Sequence, residues 1–133
     1  MRAKLYAAIY EPLYGNFRHF SLYLENGDEE IIYEATGEWP NFEHNILVNK
    51  NPRNTRRIIA LILIGEVNQT EIPEVKMLLE HANIDNETVH WNCQDFVVEN
   101  ADEIVDGCLT TDDHDWRGKN KGRDQVMEHY GPT

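Results

Sequence analysis

The chain has 133 residues, 41% hydrophobic and 27% charged, with a formal net charge of −12. That length reads as one domain, residues 1–133, able to bury a core without disulfide staples. The negative balance excludes nucleic acid and an anionic membrane surface as main partners, because both would repel it.

In chain order, Leu5 to Tyr10 is apolar and aromatic enough for a strand, closed by Glu11-Pro12 and by Gly15-Asn16. This N-terminal stretch lacks the long apolar core of a signal peptide and is expected to stay in the protein. Phe17 to Leu24 alternates. Phe20, Leu22 and Leu24 point one way, and Phe17, His19, Ser21 and Tyr23 the other. Asn26-Gly27-Asp28 is a strong turn signal, so Ile31 to Thr36 is the return strand of a hairpin. Gly37-Glu38-Trp39-Pro40 breaks the pattern, and a looser segment runs to Asn54.

Arg57 to Gly65 is almost continuously apolar, which predicts a central strand buried on both faces. Ile72, Val75, Leu78, Leu79 and Ala82 mark one side of a short helix, with Pro73 suited to its first turn. After a loop rich in Asn and Asp, Phe96, Val97, Ala101, Ile104 and Val105 recur at helical spacing up to Gly107. Residues 110–133 form a polar C-terminal extension, with a turn of helix expected over Gln125 to Tyr130. No run is long enough to span a membrane. Strands followed by helices give a small α+β domain: an antiparallel sheet packed against a helix that carries a cysteine at its N-terminus.

That cysteine is Cys93, within His90-Trp91-Asn92-Cys93-Gln94-Asp95-Phe96. Asn92 is a good N-cap, and Asp95 adds negative charge where the helix dipole favours it. Cys93 takes the first helical position. There the dipole and the unpaired N–H groups favour a thiolate and can hold an oxyanion. Taken alone, a cysteine is more often buried filler than nucleophile. The second cysteine, Cys108, lies fifteen residues further on, or about 22 Å along a continuous helix. A bridge is therefore not expected, and a reducing, cytoplasmic setting is.

A nucleophilic thiol needs a base. Of the six histidines, His81, His114 and His129 read as surface residues, and His90 sits in a loop too close to Cys93 to be well held. No His and Cys spacing suits a metal, and no cofactor is called for. His19 lies mid-strand opposite Phe20, Leu22 and Leu24.

The segment Arg18-His19-Phe20-Ser21-Leu22-Tyr23-Leu24-Glu25-Asn26-Gly27 resembles the His-bearing hairpin of NlpC-like cysteine peptidases. In that family the next strand carries a third polar residue just before an Ala, a place matched by Glu34 in Ile32-Tyr33-Glu34-Ala35. The classical order puts the Cys helix first. Here it follows the hairpin, as in lecithin retinol acyltransferase-like and related permuted papain-like enzymes, whose Asn-Cys-Glu-His-Phe-type motif is similar to Asn92-Cys93-Gln94-Asp95-Phe96. The resemblance covers roughly residues 17 to 36 and 90 to 106. It departs at Glu34, where the acyltransferases have a second His, and at Gln94-Asp95. The chain also lacks their hydrophobic anchoring tail, so a long-chain lipid is not the expected substrate.

The resemblance implies a permuted papain-like domain in which Cys93 is the nucleophile, His19 the general base and Glu34 the group that orients it. The Cys93 N–H would supply half an oxyanion hole, with Tyr10 or Gln94 as the other donor. Trp91, Trp39 and Tyr14 would line a cleft, although aromatics at strand ends are more often core edges. Arg53, Arg56 and Arg57 either bind a substrate carboxylate or offset the acidic surface. The expected reaction is hydrolysis or acyl transfer on a small-molecule or peptide amide or ester. The alternatives are a non-catalytic binding module on the same fold, or an accessory enzyme of small-molecule biosynthesis.

Overall fold

The computed structural model describes residues 2–12, 15, 17–111, 116–118 and 120–131. It is an α+β fold: a five-stranded antiparallel sheet with three helices. The strands are β1 (Ala3–Tyr10), β2 (His19–Asn26), β3 (Glu29–Thr36), β4 (Glu43–Val48) and β5 (Ile58–Val67). The helices are α1 (Ile72–Glu80), α2 (Cys93–Asp106) and α3 (Gly122–Asp124), the last continuing into a wider helical turn over Gln125–Tyr130. In the sheet the order is β4-β3-β2-β1-β5, so each of the first four strands pairs with its neighbour in sequence except across the last position.

The β2–β3 hairpin turns at Gly27-Asp28, where only Gly27 takes a positive φ, of 61°. A positive φ at the first central residue alone is the mirror-image turn that matches strand twist. Pairing runs from Asn26↔Glu29 to Leu22↔Tyr33 and ends there. Beyond it, His19–Ser21 and Glu34–Thr36 are free of each other's ladder, and the sheet opens between them.

The two faces of the sheet do different work. Leu5, Ala7 and Ile9 of β1 join Phe20, Leu22 and Leu24 of β2 in the main core, against Val75 and Leu79 of α1 and Phe96, Val97, Ala101 and Ile104 of α2. Each of these is essentially shielded from water, and each Leu, Ile, Val or Phe among them contributes about 1.5–3 kcal/mol of burial. On the opposite face, register places Tyr6 against Tyr23, Ala8 against Ser21 and Tyr10 against His19. This second face lies under the β4–β5 connection, whose Arg53 guanidinium sits 5.6 Å from the Tyr6 ring and 5.8 Å from that of Tyr23.

Two expectations need correction. The apolar run after Arg57 is not a central strand: β5 is the sheet edge, with Ile58 and Ala60 to Leu63 only half-buried. Its buried end, Ile64 to Val67, is where the Thr111 N–H donates to the Glu66 carbonyl at 2.8 Å. The looser segment up to Asn54 contains β4, the other edge, with Ile46 and Val48 exposed. Only Asn45 and Leu47 of β4 are half-buried, and the polar Glu43-His44-Asn45 start leaves too little apolar alternation for the sequence to carry a strand signature.

The C-terminal segment is polar, yet it contributes to the core. Trp116 and Val126 are fully buried. The Trp116 indole donates to Asp102 of α2 at 2.9 Å, and Arg123 pairs with the same carboxylate at 3.0 Å. Among the described residues no helix is long and apolar enough to cross a membrane.

Candidate active site

Cys93 opens α2, and the capping is reciprocal. The Asn92 side chain accepts from the Gln94 N–H at 2.8 Å, while the Asn92 N–H donates to Asp95 at 2.9 Å. Two otherwise orphaned donors are thereby satisfied, fixing the direction from which the chain enters the helix. Cys93 is 6% exposed, and both cysteines are free thiols.

His19 is the first residue of β2, at the mouth of the opening between β2 and β3. Its Nε2 lies 2.7 Å from Glu34 Oε1, and its side chain is 30% exposed. With Nε2 committed to Glu34, Nδ1 is the ring nitrogen left to interact with Cys93, which acts on the His19 titration. Burial alone would lower the His19 pKa. Hydrogen bonds and charge from Cys93 and Glu34 outweigh that penalty and raise it to about 9. The imidazole is thus a strong proton acceptor on the same cavity wall as the thiol.

Glu34 is buried, and its second oxygen accepts from Asn45 Nδ2 at 2.6 Å. Asn45 stands directly opposite Glu34 in the β3–β4 register. His19, Glu34 and Asn45 therefore form one continuous hydrogen-bonded chain drawn from three strands, and Cys93 at the start of α2 acts electrostatically on its His19 end. The sequence reading missed Asn45, because it lies in β4, the strand without a signature. Once β4 is paired, its register with Glu34 is the signal.

The remaining candidates separate. Tyr10 faces His19, ring centroids 5.5 Å apart, and its hydroxyl shares a 2.9 Å hydrogen bond with Ser21. Burial is the main cause that raises its pKa, so it stays a neutral hydroxyl able to donate. Gln94 is turned the other way. Its Nε2 donates to the Arg18 carbonyl at 3.0 Å, so the side chain is not directed at the thiol. Trp91 is also outside the cavity: it is buried against Phe42, rings 5.6 Å apart, with its indole N–H on Glu99. Tyr14 and His114 lie outside the described residues. His90 is exposed, with a left-handed φ of 72°, and its carbonyl caps the Asn92 amide at 2.9 Å.

The Cys93–His19–Glu34 chain lies on the wall of a cavity of about 870 Å³. Ile32 and Leu47 line it from the sheet, and Trp39 and Phe42 from the β3–β4 turn. Pro52 and Arg57 come from the β4–β5 connection. Gly37, with φ of 103°, makes the turn possible, since a Cβ there would fall 2.9 Å from the Asn41 carbonyl oxygen. A cavity of this size, mostly apolar with a few convergent polar groups, suits a small organic ligand. The three arginines take different places. Arg53 pairs with Glu25 at 2.8 Å, Arg56 is exposed, and only Arg57 reaches the cavity. Among the described residues no cluster of three or more His, Cys, Asp or Glu is arranged to hold a metal ion.

One family model matches the chain, over residues 5–109, and it is described as a family of unknown function, DUF6540. The chain belongs to the DUF6540 family. The matched span runs from β1 to the end of α2 and contains Tyr10, His19, Glu34, Asn45 and Cys93. Searches of curated proteins and of solved structures return no match.

Proposed function

We propose that this protein is a cysteine-dependent hydrolase or acyltransferase of permuted papain-like type, acting on an amide or ester held in the cavity. The observation that carries this reading is His19. Its Nε2 is held by Glu34 at 2.7 Å, and contact with Cys93 and Glu34 raises its proton affinity against the effect of burial. A structural histidine has no need of a thiol on one side and a buried carboxylate on the other. Perturbed titration in a cavity is the pattern expected of a working acid or base.

In this reaction His19 takes the Cys93 proton, and the sulfur attacks the carbonyl carbon, forming a C–S bond as the C=O π pair moves onto oxygen. The Cys93 N–H at the helix start and the Tyr10 hydroxyl are the donors assigned to the developing oxyanion. Collapse breaks the C–N or C–O bond, with His19 returning the proton to the leaving nitrogen or oxygen. The resulting thioester is attacked by water or an amine, which gives a proton to His19. Sulfur leaves as the thiolate, and the imidazolium is again its partner. Glu34, held by Asn45, orients the ring and stabilises its cationic form.

Iodoacetamide labelling followed by mass spectrometry tests the reading, with Cys108 as internal control. Cys93 should label faster than Cys108 at neutral pH despite being far more buried, and should lose that advantage in His19→Ala. An advantage that survives His19→Ala, or no advantage at all, would leave a buried thiol and a cavity for binding alone.

A further inference from the structure

The charged groups on the cavity wall are unevenly matched for so acidic a chain. Among the described residues five belong to it: His19, Glu34, Glu38, Lys50 and Arg57. His19 and Glu34 are committed to each other. Lys50 is exposed, and its side chain has neither ion pair nor hydrogen bond among the described residues. Arg57 spends its guanidinium on a neutral partner, the Glu11 carbonyl at 2.7 Å, with no carboxylate in salt-bridge reach among the described residues. In a chain with 24 Asp and Glu against 12 Lys and Arg, two cations on one wall without acidic partners among the described residues are unexpected. Against them stands a single carboxylate, Glu38, beyond the paired Glu34.

Both cations come from one segment, the connection between β4 and β5. Arg53 fastens that segment over the sheet through Glu25 and the Tyr6 and Tyr23 rings, so Lys50 and Arg57 are presented from a tethered strap. The wall that the cations share with the thiol is mostly apolar, and Phe17 and Trp39 add large exposed rings to it.

We infer that the β4–β5 connection selects the substrate: an amide or ester with an apolar, preferably aromatic, body and one anionic group received by Lys50 and Arg57. The word substrate rests on the thiol-hydrolase reading above, whereas the preference for an apolar anion rests on the cavity alone. Carboxylate, sulfonate and phosphate share the chemistry that these two cations recognise.

Two fluorescent probes with one ring skeleton test it on the full chain carrying Cys93→Ser. These are 8-anilinonaphthalene-1-sulfonate and its uncharged counterpart, N-phenyl-1-naphthylamine. The sulfonate should bind more tightly, and Lys50→Gln/Arg57→Gln should weaken it about tenfold, the scale of one charge-assisted hydrogen bond. The neutral probe should be unaffected, and Lys50→Arg/Arg57→Lys should keep the preference. A sulfonate affinity indifferent to the double variant overturns the inference. If both probes are lost together, the single Lys50→Gln, at a side chain with no partner to lose, decides: selective weakening of the sulfonate supports the inference, and no change overturns it. Alkylation of Cys93 in the otherwise unaltered protein separates the two readings. An inert thiol with anion preference intact removes the hydrolase and leaves the anion-selecting cavity. A reactive thiol without preference does the reverse.

Discussion

The Gln94 side chain donates to the Arg18 carbonyl at 3.0 Å. The residue that follows the thiol is thereby tied to the residue that precedes the imidazole. Neither partner belongs to the Cys93–His19–Glu34 chain, yet the bond joins the start of α2 to the residue that leads into β2. A helix start and a strand start that the sheet itself does not join are held at hydrogen-bonding distance by a buried amide.

Gln94→Ala should therefore loosen the site more than it loosens the fold. Loss of one buried hydrogen bond costs about 1–3 kcal/mol where an acceptor is left unpaired, here the Arg18 carbonyl. The expected outcome in urea denaturation is a midpoint shift of that size with an unchanged slope. Cys93 labelling should fall toward the Cys108 rate. A midpoint shift with full retention of the labelling advantage would mean that the thiol and imidazole are positioned without this tie.

The His19 titration fixes the direction of a pH effect on stability. The folded pKa, about 9, lies above the ordinary 6.5. The associated stabilisation is complete below about pH 6.5 and is lost as pH rises through about 9. Thermal denaturation of the parent should show Tm falling across that window. In His19→Gln the fall should be absent, while behaviour below pH 6 should be governed by other groups.

Glu34→Gln tests the charge behind the ring without removing its bulk. The variant should lower the His19 pKa by about one unit, with a roughly tenfold slower Cys93 labelling at neutral pH. NMR of the His19 ring protons reads the first effect directly. Asn45→Ala acts one bond further out and should give a smaller change of the same sign. An unchanged ring titration in Glu34→Gln would show that contact with the thiol alone sustains the raised value.

How far the residues announced this arrangement depends on which physical signal each one carried. The alternation in β2 separated His19 from Phe20, Leu22 and Leu24, and the turn at Gly27 placed Glu34 on the returning strand. The N-cap at Asn92 located the thiol at a helix start. These are local signals. Asn45 had none, since its role exists only through a cross-strand partner eleven residues away. Gln94 sits beside the thiol in sequence, but the pleat and helix geometry turn its side chain to Arg18 rather than to the cavity. Trp91 is likewise adjacent to the site in sequence and buried behind it in space. The apolar β5 read as central because its composition suits burial on both faces, whereas its place at the edge follows from sheet order, which composition does not encode.

The C-terminal segment supplies the sharpest test of composition against structure. Its polar sequence suggests an extension, but Trp116 is fully enclosed and its indole N–H is bound to Asp102, which Arg117 and Arg123 also engage. Trp116→Ala should cost about 3–5 kcal/mol, the range for emptying a buried aromatic site, whereas loss of a dispensable tail would cost almost nothing. Denaturant titration measures it. Arg123→Ala should cost less, because Arg117 remains on the same carboxylate at 3.1 Å. Since Asp102 lies on α2, whose first residue is Cys93, the two variants also ask whether the far end of that helix matters to the site. A Trp116→Ala protein that stays folded but loses the His19-dependent labelling of Cys93 would show that the C-terminal segment sets the seating of α2. Retained labelling would confine its contribution to stability.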